Sequence, residues 1–181
     1  LVARGEEVVY YIGDQYQDKL KDTGVEIRTL PTDEIIQRFT AYGSGNLFHV
    51  VNGLLNTADV ILPKILEDTK NEHYDYLISD SMFSFGNLIA QKLHIPTISS
   101  ITSFAHTAET FEAALNYNAQ ALSETEMNDV EDTFNHLQQH IQTTYGVEVN
   151  SRYETMNNPG DFNIAYILEK FQINPELFDS A

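Results

Sequence analysis

With 181 residues, 42% of them hydrophobic and 20% charged, the chain is long enough to bury one core and form a single domain over 1–181, which excludes a disordered protein. Cysteine is absent, excluding disulfides and thiolate metal sites and fitting a reducing compartment, so the cytoplasm is the expected location. A formal charge of −17, from ten Lys plus Arg against 27 Asp plus Glu, excludes nucleic acid as a partner, and no apolar run reaches the roughly 18 residues of a membrane span.

Leu1-Val2-Ala3-Arg4-Gly5 reads as the last turn of a helix closed by glycine, so the natural start is expected upstream. Residues 7–12 are rich in β-branched and aromatic types and run into Gly13-Asp14, as a buried strand feeding a helix over 14–22 should. Gly24 ends that helix, and residues 25–30 supply a second strand stopped by Pro31, completing a βαβ unit. A short helical piece over 33–41 and a Gly43-Ser44-Gly45 break follow. From 46 to 72 apolar residues recur at three- and four-residue intervals, the pattern of one long amphipathic helix, with a bend expected at Pro63. Residues 74–80 make a third strand, 85–93 a helix and 95–101 a fourth strand. From 107 to 145 the pattern is helical, with the acidic run Glu124, Glu126, Asp129, Glu131 and Asp132 on a solvated face. The turn Asn157-Asn158-Pro159-Gly160 precedes a fifth strand over 162–167 and a polar tail. This alternation predicts an α/β fold: a doubly wound, mostly parallel, Rossmann-like sheet with helices on both faces.

In open parallel sheets ligands bind beyond the carboxyl ends of the strands, so residues just past a strand come first. Asp80, after the third strand, either faces that crevice or caps the turn it opens. Thr102, after the fourth, either contacts a sugar or satisfies turn backbone groups. Phe83, Phe85, Phe104, Phe111 and Tyr117 gather around the same strand ends; such residues build core, and a pocket for a hydrophobic ligand needs a few of them. His136 and His140 share a helical face but lack the glutamate of a zinc protease, and the other four histidines have no ligand pattern. No metal is therefore expected. Gly-x-Gly-x-x-Gly, phosphate-loop and Gly-x-Ser-x-Gly motifs are all missing, which removes support from dehydrogenase, kinase and hydrolase readings.

The order of pieces resembles the N-terminal domain of bacterial macrolide-type UDP-glycosyltransferases. The matching stretches are residues 1–8 with 21–28, then Tyr74-Asp75-Tyr76-Leu77-Ile78-Ser79-Asp80, then Ile95-Pro96-Thr97-Ile98-Ser99-Ser100, and finally Met156-Asn157-Asn158-Pro159-Gly160-Asp161. The resemblance implies a GT-B-like enzyme of two facing Rossmann-like halves. The first takes a small, partly apolar acceptor such as a macrolide. The second, later in the same polypeptide, holds the UDP-sugar donor, and no separate cofactor is implied. It implies inversion at the anomeric carbon, with Asp80 orienting a histidine base, Thr102 contacting the donor sugar, and Phe83, Phe104 and Phe111 lining the acceptor pocket. That histidine belongs about a dozen residues before Leu1, with the first strand of the sheet. The chain by itself is accordingly expected to be inactive and its sheet to be incomplete or rearranged. A non-catalytic small-molecule-binding module on the same scaffold is the competing reading.

Overall fold

The computed structural model describes residues 1–43 and 45–178. Strand β1 (Val9–Gly13) pairs in parallel with β2 (Glu26–Leu30), Tyr11 opposite Arg28 and Gly13 opposite Leu30. The connection expected to be an α-helix is a 3-10 helix, Asp14–Leu20, none of whose residues is buried. A sequence this polar has no apolar face to pack, so nothing draws it into a regular helix. Gly13 is required because a Cβ there would lie 2.4 Å from Thr32 Oγ1, where the end of β1 presses on the start of α1 (Thr32–Thr40).

The long helix expected over 46–72 is two helices, α2 (Leu47–Asn56) and α3 (Ala58–Thr69), and the break falls at Thr57 rather than Pro63. Thr57 ends α2 by returning its N–H and hydroxyl to the Leu54 carbonyl, at 3.1 and 2.7 Å. Pro63 sits inside α3, its ring against the carbonyl four residues back, at Asp59, so the disturbance lies in the first turn and the chain reorganises just before it. Asn46 starts α2 by accepting the Phe48 N–H, and α2 then runs through the middle of the molecule against α1, α5, α6 and α7.

Strand β3 (Leu77–Asp80), helix α4 (Gly86–Leu93) and strand β4 (Thr97–Ile101) follow. Helices α5 (Ala108–Ala119) and α6 (Glu124–Tyr145) each begin with a reciprocal capping box, Thr107 with Thr110 and Ser123 with Glu126. A short α7 (Arg152–Asn157), not expected from the sequence, leads into β5 (Phe162–Ala165). Two 3-10 turns, Glu169–Phe171 and Pro175–Leu177, occupy what reads in the sequence as a polar tail. Ser44, in the expected glycine break, and residues 179–181 lie outside the described residues.

All pairings among the described residues are parallel, as expected, but they form two sheets, β1-β2 and β3-β4-β5. Among the described residues neither β1 nor β3 has a neighbour on its other edge. One core serves both pieces, with Leu30, Val51, Leu55, Leu62, Phe85, Ile89 and Ile141 in a continuous buried cluster. The two faces of the three-stranded sheet differ. Ser79 and Ser99, opposite Asn163, are buried, whereas the row Ile78, Ile98, Phe162 lies on the other face with Asp80, Ser100 and Ile164. There Ile78, Ile164 and Phe162 are 46%, 48% and 74% exposed.

Candidate functional site

The candidate site is built where β3 and β4 end. Beyond Asp80 the chain turns sharply: the Asp80 carbonyl accepts the Phe83 N–H at 2.9 Å and its Oδ1 accepts the Met82 N–H at 2.8 Å. Across the strand pair, the Thr102 hydroxyl donates to Asp80 Oδ2 at 3.2 Å. The structure thus brings together the two polar residues picked from the strand ends. Both face solvent, and Asp80 also caps its own turn.

The turn rests on a buried polar support. Asn158, left-handed at φ 39 at the end of α7, donates from Nδ2 to Ser79 Oγ at 2.9 Å and accepts the Asn87 N–H on Oδ1 at 3.1 Å. It supplies the side-chain cap that α4 lacks at its own N-cap, Phe85. The packing is tight enough that a Cβ on Gly86 would fall 2.3 Å from Ser79 Oγ and 2.5 Å from Asn158 Nδ2. Glycine is therefore the residue that lets α4 approach β3.

Beside the turn lies a cleft of about 290 Å³, bordered by Ser81, just after Asp80, and Ile101, just before Thr102. The loop Phe104–Thr107 and the first turn of α5 form one wall, and Tyr153, Asn157 and Pro159 another. Tyr153 donates its hydroxyl to the His106 carbonyl at 2.8 Å, tying α7 to that loop. Burial holds the Tyr153 phenol above its ordinary pKa, so it remains a neutral donor. Among the described residues no Asp, Glu, Lys or Arg lines the cleft; its polar groups there are hydroxyls, amides and one histidine.

The three phenylalanines chosen from the sequence go to different places. Phe104 lines the cleft and is 41% exposed, while Phe111 is 4% exposed, in the core behind Tyr153 at a ring separation of 6.0 Å. Phe83 is half-buried, edge-on to buried Phe85. Phe111 therefore supports the cleft through Tyr153. Tyr153, His106 and Phe178 were not singled out as site residues. Only the turn Asn157-Asn158-Pro159-Gly160 signalled that region, and it says nothing of which strand ends it faces. Among the described residues no three metal-ligating side chains come together; His140 is instead bound to Asp59, which also accepts the Tyr145 hydroxyl at 2.7 Å.

Parallel strands alternating with helices, and a cleft at their carboxyl ends, make a Rossmann-like domain, and its backbone is that of one half of a GT-B-type fold. Over 98% of the chain the backbone matches that of CalG4, the calicheamicin glycosyltransferase, with a TM-score of 0.74 and 18% identity. The glycotransferase of kitacinnamycin matches over 98% at 0.73, also with 18% identity, and the chain covers 45% and 43% of those two structures. In sequence the chain is related to two uncharacterized UDP-glucosyltransferases of Bacillus subtilis (strain 168), being 24% identical to YojK over 181 residues and 27% identical to YdhE over 177. The alignments take in 98% and 97% of this chain but 44% and 43% of those proteins, so it spans less than half the length of the relatives it matches. No protein-family model matches the chain. No helix among the described residues is long and apolar enough to cross a membrane.

Proposed function

We propose that the chain is the acceptor-binding half of a cytoplasmic, UDP-sugar-dependent, inverting glycosyltransferase, and that it does not turn over by itself. The observation carrying this reading is the uncharged, largely apolar cleft beside the Asp80–Thr102 pair at the strand ends. An uncharged lining suits a neutral, partly apolar acceptor such as a macrolide or a smaller hydroxylated natural product, because burying a charged one there would leave its charge unpaired. Asp80, fixed by the Met82 N–H and the Thr102 hydroxyl, keeps lone pairs free to accept a proton donor. In this role it orients a histidine base over the acceptor hydroxyl and stabilises the imidazolium formed as the proton leaves. Thr102 would then meet the donor sugar across the crevice. The donor's phosphates fall to a second half of the same polypeptide, since a chain of net charge −17 disfavours an anionic diphosphate.

Calorimetric titration with naphthol, a neutral hydroxylated probe, tests the cleft: saturable binding is expected, weakened by Phe104→Ser. In an enzyme that includes the donor half, Asp80→Asn should lower transfer from UDP-glucose by about 10²–10⁴-fold with naphthol affinity little changed. Turnover of UDP-glucose by the chain alone, or an undiminished rate in the Asp80→Asn enzyme, would refute the reading.

A further inference from the structure

Beyond β5 the chain neither leaves the domain nor packs into its core. Residues 166–178 run back across the end of β4 as a strap. The Tyr166 N–H reaches the Ile101 carbonyl at 3.4 Å, the 3-10 turn Glu169–Phe171 follows, and after a left-handed Asn174 (φ 50) a second turn delivers Phe178 to the cleft. Burial does not hold the strap: Tyr166, Leu168, Phe171 and Ile173 are all more than half exposed. Besides the Tyr166 hydroxyl, which accepts from Ser100 Oγ at 3.4 Å, the described side chain that ties it to the cleft wall is Gln172. Gln172 Oε1 accepts the Ala105 N–H at 3.0 Å, and its Nε2 donates to the Ala105 carbonyl at 2.9 Å and to the Ile173 carbonyl at 2.9 Å. Ala105 lies in the cleft-wall loop between β4 and α5, outside any strand or helix. Its backbone thus gains from one amide the paired bonds that a neighbouring strand would give.

We infer that Gln172 is a positioning residue that sets the width of the cleft, holding Phe178 opposite the loop that carries Phe104 and so favouring flat, narrow ligands. This rests on the cleft being the acceptor site. Removing the clamp frees the strap and takes away one aromatic wall. The chain has no tryptophan, so Phe178→Trp places a single tryptophan at that wall, excited at the long-wavelength edge where the ten tyrosines do not absorb.

The experiment compares Phe178→Trp alone with the same protein carrying Gln172→Ala or Gln172→Glu, after circular dichroism and thermal melting establish that all three fold alike. Gln172→Ala should shift the emission to longer wavelength and raise acrylamide quenching several-fold, and naphthol should bind roughly 5- to 30-fold more weakly, the factor that about 1–2 kcal/mol represents. Gln172→Glu keeps an acceptor for the Ala105 N–H but turns a carboxylate oxygen toward the Ala105 and Ile173 carbonyls that Nε2 had served, and should release the strap at least as far as Gln172→Ala. Unchanged emission and quenching in Gln172→Ala would overturn the inference, as would a reporter that moves while naphthol binds both proteins equally. If the reporter moves and naphthol binds none of the three, the acceptor reading fails and the placement of the strap by Gln172 stands.

Discussion

With 1% of its surface exposed, Asn158 divides its amide between two elements, capping α4 through Asn87 and holding β3 through Ser79. Neither partner is next to it in sequence, so Asn158→Ala leaves a buried N–H and a buried hydroxyl short of a bond, at a cost of about 1–3 kcal/mol. Urea unfolding should show this as a lower midpoint with an unchanged slope. Gly86→Ala should be at least as damaging, because the atoms its Cβ would meet are this same buried pair. A second residue gives a pH signature. Glu72 takes both terminal nitrogens of Arg28, at 2.9 and 2.7 Å, and also accepts the Tyr74 hydroxyl. The Arg28 bonds, then the Tyr74 bond, bring its carboxyl down to about 2 from an ordinary 4.5. A carboxylate more acidic in the folded state contributes stability above its unfolded pKa and loses it as pH falls through the folded value. The difference in melting temperature between the wild type and Glu72→Gln should therefore be full at neutral pH and close between about 4.5 and 2.

Helix α6 illustrates how much of an element is visible in a sequence. Ser123 and Glu126 stand at capping-box spacing, and the box forms with both reciprocal bonds. Ser123→Ala should cost about 0.5–2 kcal/mol, measurable as a lower thermal midpoint. Ile141, on the same helix and wholly buried, belongs to the core, and Ile141→Ala should cost about 2–5 kcal/mol. The five strands, α1 and α4 were legible, because apolar runs punctuated by Gly24, Pro31 and Pro159 state where they begin or stop, whereas the helical pattern over 107–145 did not show that α5 ends at Ala119 and α6 begins at Glu124. The break at Thr57 was no more legible. The apolar spacing of α2 carries on into α3 without interruption, and a threonine that bonds back to the Leu54 carbonyl looks like any other polar residue on a helix. The site was legible only where it lies next to a strand end. Asp80 and Thr102 sit there, whereas Tyr153 and Phe178 reach the cleft from the far side of α6 through contacts that no local pattern records.

At the scale of the whole molecule, the strands divide between two sheets, the incomplete or rearranged sheet that the resemblance implied; local pattern alone does not give it, because pairing is long-range and β1 and β3 each read as an ordinary buried parallel strand. The division should be visible in native-state hydrogen exchange. A two-stranded parallel ribbon has little to hold it beyond its packing, so the amides of β1 and β2 should exchange through an opening of lower free energy than those of β3 and β4. Equal protection across all four strands would mean that the pieces open as one unit. The construction of the cleft has a consequence for recombination between related chains. One wall comes from residues 81–108 and the other from 153–178, with the whole of α6 between them. A crossover placed within α6 would join the first wall of one parent to the second wall of the other. Ligand preference in such chimaeras should follow the pairing of the two walls, and neither parent alone should determine it.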